Sequence, residues 1–421
     1  MPCRSLRSLR LAVAATTSLT ACGVDFANAP PEGTGPSGGG GIDLTTSGTG
    51  GTTGTTSGAP NGAGGMNATA SASVSSTAAS SNAASSTGSG GPTCPGAQAF
   101  CANEFSTTLT DISDVVYTGG VWVAANQAIY RIPVDNPIPF VVAGKPGEAG
   151  SNDDATGTIA RFGKLGRLAY DSKDQLIYII DTGNCVVRSI ATKSPYAITT
   201  ISGTAGACGS VIDGDSKAAA WGAPYGVALD PPDKDGGHKA LYVTDGNLVR
   251  KLDLGSGSVT AFAGQPLAGA VDSMMGKQAS FNAPRDLTFF AQTLYLADTG
   301  NHRLRAIAAG PDATVSTACG GAPGSVDGAC GAGATLKGLS SVTPYSIGPG
   351  ILIADTGNHS VRTWSSGVLT TVLGGQELHA VGVGKAAGIV RPTALATGTV
   401  NAIKTLFVVE DGKSLRRVPL E

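Results

Sequence analysis

Short apolar runs, each ending at an acidic residue and followed by turn residues, recur along the chain from about residue 109 to the C-terminus. Leu176-Ile177-Tyr178-Ile179-Ile180 and Leu294-Tyr295-Leu296 are continuous rather than alternating, as in strands that need cover on both faces. The stretch Asp298-Thr299-Gly300-Asn301-His302-Arg303-Leu304-Arg305 is nearly repeated as Asp355-Thr356-Gly357-Asn358-His359-Ser360-Val361-Arg362. It returns as Asp181-Thr182-Gly183-Asn184-Cys185-Val186-Val187-Arg188, with cysteine in the histidine place. Asp245-Gly246-Asn247-Leu248-Val249-Arg250 is a shortened copy, and Glu410-Asp411-Gly412 and Ala125-Asn126 are worn ones. The aligned positions 125, 181, 245, 298, 355 and 410 are spaced by roughly 53 to 64 residues, which marks a repeat architecture. Each copy predicts a hairpin. The aspartate is expected to accept bonds from turn N–H groups, and the glycine to supply a positive φ.

Around each hairpin the pattern predicts four strands, for example 167–170, 176–180, 186–190 and 197–201. A long loop follows, with Asp213-Gly214, Ala219-Ala220-Trp221 and Pro224-Tyr225-Gly226-Val227 echoed by Asp272, Ala279-Ser280-Phe281 and Pro284-Arg285-Asp286-Leu287. This order of strand, turn and loop residues resembles the NHL-repeat family over about residues 109–421. The resemblance implies an all-β fold, a β-propeller of four-stranded blades; counting the repeat units gives six blades, and the globular domain is expected to span 94–421. Sheets apolar on both faces stay dry when arranged radially, each between two neighbours. The last unit has three strands, so Phe105–Leu109 is expected to add the fourth and close the ring. Arg131, Arg188, Arg250, Arg305 and Arg362 hold corresponding places, with Arg416 or Arg417 as a sixth. They are expected to pair with turn carboxylates or cap loop carbonyls.

Residues 1–22 carry Arg4, Arg7 and Arg10 before a short apolar run, the pattern of a secretory signal. Leu19-Thr20-Ala21-Cys22 resembles a bacterial lipobox, implying lipidation of Cys22. Gly23 after it fits an outer-membrane lipoprotein of a Gram-negative-type bacterium, on its periplasmic or cell-surface side. Residues 23–93 are almost entirely Gly, Ser, Thr and Ala, too poor in apolar groups to offset ordering entropy. They are expected to form a disordered tether, about 70 residues long with a reach of roughly 45 Å. Export suits disulfides, and neighbour pairing predicts Cys94–Cys101, Cys185–Cys208 and Cys319–Cys330.

Composition narrows function by exclusion. Net charge is −2, and setting aside the six charges before residue 94 leaves 25 basic against 27 acidic residues, which argues against nucleic acid. Of four histidines, His302 and His359 fall in the repeat turn, leaving His238 and His379. No nucleophile elbow or phosphate loop occurs, so no catalytic residue is assigned. The repeat-turn residues Asp181, Asn184, Asp245, Asn247, Asp298, Asn301, His302, Asp355, Asn358 and His359 are read as structural, on the same face as the long loops. That small, polar loop face is the expected site for a protein or glycan partner, with no cofactor. The alternative is a propeller hydrolase or lyase holding a divalent cation, such as calcium, in its channel.

Overall fold

The computed structural model describes residues 101–106 and 108–420. The expected signal segment, Cys22, the linker and Cys94 lie outside the described residues, and the pairing of Cys94 with Cys101 lies there too. Six antiparallel sheets make six blades. Blade 1 contains Ile112–Tyr117, Val121–Ala125, Ala128–Ile132 and Phe140–Gly144. Blade 2 contains Leu165–Asp171, Leu176–Asp181, Val186–Ala191 and Ile198–Ser202. Blade 3 contains Pro224–Leu229, Ala240–Asp245, Leu248–Asp253 and Val259–Gly264. Blade 4 contains Asp286–Phe290, Thr293–Asp298, Arg303–Ala308 and Val315–Gly320. Blade 5 contains Ser341–Pro344, Ile351–Asp355, Ser360–Ser365 and Val368–Gly374. The first strands of successive blades pack against one another in a closed circle, blade 6 against blade 1 included. The fold is therefore a six-bladed propeller with its first strands at the axis.

Burial explains why the ring closes. The buried apolar side chains sort into six clusters, one per interface between adjacent blades. A single strand feeds two of them. Ile177 and Ile179 face blade 1, whereas Tyr178 and Ile180 face blade 3. Each such side chain contributes about 1.5–3 kcal/mol when fully removed from water, so neither face of a blade can be left bare. Trp221 and Phe281 are fully buried wedges in these interfaces.

Blade 6 holds Pro392–Val400, Ile403–Glu410 and Ser414–Pro419, and its fourth strand is Cys101–Ser106. The closing strand thus lies earlier than the expected 105–109. Its register pairs Asn103 with Arg417 and Glu104 with Arg416, which sets Phe105 edge-on to Phe407 at 5.6 Å. Leu109 is also buried in that cluster, but as part of the link into blade 1.

The long loops wrap outward before entering the next blade. Each crosses that blade's outer strand, through Asp154 with Ile198, Gly214 with Val259 and Ser273 with Val315. Gly328–Ala329 pairs with Val368 and Leu369, and Gly382–Val383 pairs with the closing strand. Blade 1 is entered directly from the closing strand, so its outer strand Phe140–Gly144 has no such cover among the described residues. The position matching Ile198 and Val259 is there Pro139. Two disulfides fasten loops to blades, Cys185–Cys208 and Cys319–Cys330.

Candidate functional site

Blades 2 to 5 share one buried clamp. Arg188 donates through Nη1 to Asp181 Oδ2 at 3.1 Å and through Nη2 to Asp153 Oδ1 at 2.6 Å. Asp153 lies in the loop entering blade 2 and also accepts from the Thr200 N–H of the outer strand. The same triangle recurs as Arg250 with Asp245 and Asp213, Arg305 with Asp298 and Asp272, and Arg362 with Asp355 and Asp327. Each arginine also caps two loop carbonyls, as Arg305 does those of Ser280 and Val271. The guanidiniums of Arg188, Arg250 and Arg305 lie over Phe162, Trp221 and Phe281 at 4.7, 4.7 and 5.0 Å. Burial pushes the carboxyls of Asp181, Asp298 and Asp355 above the usual range, while their asparagine and arginine donors pull them back.

The turn residues make ties between elements. The free oxygens of Asp181, Asp245, Asp298 and Asp355 accept from the N–H groups of Gly163, Ala223, Asn282 and Lys337, just before the first strand of the same blade. They do not take the turn N–H groups expected from sequence. Asn184, Asn301 and Asn358 bond the adjacent aspartate and the carbonyls of Gly150, Gly269 and Gly324 in the loops. Asn247, in the shortened turn, instead bonds Pro266 and Ala283. His302 and His359 reach the next blade, accepting from Gly338 N–H at 2.9 Å and Arg391 N–H at 3.2 Å. Thr182, Thr299 and Thr356, which sequence reasoning passed over, donate to the Pro224, Leu339 and Pro392 carbonyls of the next blade's entry.

Two expectations are corrected. In the longer turns the positive φ belongs to Cys185, His302 and His359, at 54°, 55° and 53°, not to the glycine. Gly300 and Gly357 are required for closeness, because a Cβ there would stand 2.6 Å from Asn282 and from the Lys337 carbonyl oxygen. Arg131 is not equivalent to the other arginines. Tyr130 pairs with Val123 as Arg250 pairs with Val243, so Arg131 is one residue out of step and on the opposite face. It lies 6.0 Å from the Trp122 ring, beside a small groove that also includes Tyr196 and Lys193. In blade 6, Arg416 bonds Glu410 at 2.8 Å.

At the axis the first strands present unpaired N–H and C=O groups, which a dry centre must satisfy. One ring of matching positions carries Asp114, Arg167, Gly226, Asp286, Ser341 and Ala394. Asp114 accepts the Leu168 N–H of the next blade at 2.7 Å, and Asp286 accepts that of Val342 at 3.0 Å. Ser341 donates to Asp286 and accepts the Leu395 N–H. Arg167 fills the middle. It bonds Asp114 Oδ1 at 2.9 Å and the carbonyls of Ser113, Ser340 and Thr393. Its Nε lies 3.9 Å from Asp286 Oδ2, and its guanidinium 5.8 Å from the Tyr225 ring. One side chain thereby touches all five other blades. Burial pushes the Asp114 carboxyl up to about 6 despite the arginine, and raises that of Asp286 too. For Arg167, burial acts to lower the pKa, but the charges of Asp286 and Asp114 hold it above the ordinary value.

Beyond this plug, on the side away from the long loops, the channel widens into a cavity of about 490 Å³. Tyr117, Tyr170, Phe289, Thr343 and Gln292 line it, with His238 on the wall and Asp114 and Asp286 at its floor. The loop face is less polar than its sequence suggests, because Leu267 is 81% exposed and Met274 76%. Among the described residues, no three His, Cys, Asp or Glu side chains converge as metal ligands. The axial carboxylates do not fit the divalent cation of the alternative reading, because the Arg167 guanidinium already lies between them.

No protein-family model and no curated protein matches this chain. Solved structures do. A structural-genomics protein of unknown function from Bacteroides thetaiotaomicron is 18% identical, with a TM-score of 0.55, over 77% of this chain and 73% of that one. An auxiliary nutrient binding protein from Bacteroides ovatus is 14% identical, with a TM-score of 0.52, over 76% and 73%. A candidate gluconolactonase is 12% identical, with a TM-score of 0.50, over 76% and 92%. At these identities the likeness is one of fold alone.

Proposed function

We propose that this chain is an extracytoplasmic, non-enzymatic binding protein, an NHL-type propeller head on a lipid-anchored tether, which captures a small polar ligand or glycan in its channel cavity. The observation that carries this reading is the axial plug. It turns a through-channel into a blind chamber of about 490 Å³, a size suited to a small ligand. The plug's own charged groups are already committed to one another. Two disulfides fit an oxidising compartment, and Leu19-Thr20-Ala21-Cys22 supplies the anchor. The nutrient-binding description of the Bacteroides ovatus propeller agrees with capture rather than conversion.

A second reading, a hydrolase or lyase, draws on one observation: the Asp114 carboxyl, raised to about 6, borders the chamber and could exchange a proton near neutrality. Screening sugars and small metabolites against the purified chain by thermal shift, with product analysis of every hit, tests the two together. Stabilisation without turnover, abolished by Thr343→Trp in the chamber wall, is the expected result. Product formation would overturn the binding reading.

A further inference from the structure

Five oxygen atoms from four blades surround the Arg167 guanidinium: Asp114 Oδ1, Asp286 Oδ2 and the carbonyl oxygens of Ser113, Ser340 and Thr393. Two formal negative charges and three carbonyl dipoles gathered around one buried group are the ligand types of a hard divalent cation such as calcium. Here that group is a side chain that is itself almost wholly buried. The match is imperfect: Nε has no hydrogen-bond partner, although it lies nearest to Asp286. A planar guanidinium aims its donors in a fixed fork, whereas the surrounding oxygens approach from several blades.

We infer that Arg167 is a covalently built-in replacement for an axial cation, so that the native chain binds no metal on its axis and removal of this one side chain uncovers an oxygen-lined calcium site. The positions around the ring support the assignment. Asp114 and Asp286 hold their orientations through the Leu168, Leu287 and Val342 N–H groups, independently of Arg167. The oxygens therefore stay aimed at the axis when the guanidinium leaves. The carbonyls of Ser113 and Thr393 lie within first strands, at their register shifts, and that of Ser340 directly precedes one, so the blade framework positions all three. With Arg167 present, one of the two negative charges of Asp114 and Asp286 is offset by a group that cannot dissociate. With it absent, both charges lack a fixed counter-charge, which a divalent cation from solution would match.

The test uses the full chain and its Arg167→Ala variant, each titrated with calcium chloride to about 10 mM, above the roughly 0.1–1 mM dissociation constants of extracellular oxygen-ligand sites. Calcium is expected to leave the Tm of the unmodified chain unchanged and to raise that of Arg167→Ala by about 2–5 °C. Adding Asp286→Asn to the variant is expected to abolish the response. Metal analysis of the unmodified chain after dialysis against calcium is expected to find none bound at the axis. The inference is overturned by stoichiometric calcium in the unmodified chain that Asp286→Asn removes. It is equally overturned if Arg167→Ala folds and ignores calcium, or if it fails to fold with calcium present.

Discussion

Replacing Arg305 with methionine isolates what the repeated clamp contributes. The side chain is fully buried, and it holds Asp298 at 2.8 Å and Asp272 at 2.6 Å besides the carbonyls of Ser280 and Val271. Methionine keeps much of the packing over Phe281 but leaves Asp298, itself wholly buried, without its cation. Stranding one partner of a buried pair costs about 3–5 kcal/mol. Two carbonyls that lose their donors act in the same direction, at about 1–3 kcal/mol for each that water does not reach. A total loss of about 4 kcal/mol is the working figure. The control is Arg303→Met on the same strand, since Arg303 is half-buried and bonds only the Ala270 carbonyl and a threonine hydroxyl; it should cost below about 1 kcal/mol. Urea unfolding followed by intrinsic fluorescence measures both. Hydrogen exchange should place the loosening in the loop around Asp272 and in the Thr317 N–H that Asp272 holds. A loss for Arg305→Met no larger than that of Arg303→Met would refute the claim that the clamp, rather than packing alone, fixes the loop to the blade.

Other consequences are open to measurement. Asp114 holds its proton to a higher pH in the folded chain, about 6 against the ordinary 3.8, so its contribution to stability falls as pH rises across that interval and is level above it. That shift corresponds to about 3 kcal/mol. Carbon-detected NMR should find the Asp114 midpoint near 6, and a midpoint at or below 4 would contradict its burial. Removing Cys185–Cys208, which closes a loop of 23 residues, should cost about 3 kcal/mol in denaturant unfolding compared with the oxidised chain. Gly357→Ala should lower the Tm although its φ is ordinary, since the new methyl meets the Lys337 carbonyl; Gly367→Ala, in open space but at a φ of 79°, should do so through backbone strain alone. Cys22→Ala should move the exported chain from the membrane to the soluble fraction, and retention in the membrane would end the lipid-anchor proposal.

The propeller was legible because its physical cause is local. Runs such as Leu176–Ile180 are apolar at every position, and alternate residues feed the cores on either side. The turn aspartates and their arginines were legible as a repeat, yet their partners were not. Gly163, Asn282 and Lys337 lie 16 to 18 positions upstream of the aspartates they meet, at places with no shared residue type. Arg131 was misplaced because it follows Ala125 by six positions, whereas blade 3, with the same two-residue turn, sets Arg250 five after Asp245; Tyr130 therefore stands in the clamp place. The loss is coherent: blade 1 has no long entry loop, so it has no loop aspartate for an arginine to hold. The axial plug was hidden most deeply. Asp114, Arg167 and Asp286 each look unremarkable alone, and the corresponding Gly226, Ser341 and Ala394 share no chemistry with them. The one sequence signal was a lone arginine between two acids at a single place in the repeat alignment.

The bare rim of blade 1 bears on how these molecules coexist. Pro137 and Pro139 frame the approach to Phe140–Gly144, where Ile138 is 65% exposed and Phe140 44%. Neither proline has an amide hydrogen, so a strand from another copy finds no donor where the other blades offer Ile198, Val259 or Val315. Two imino acids thus make the uncovered rim of blade 1 a poor template for strand addition.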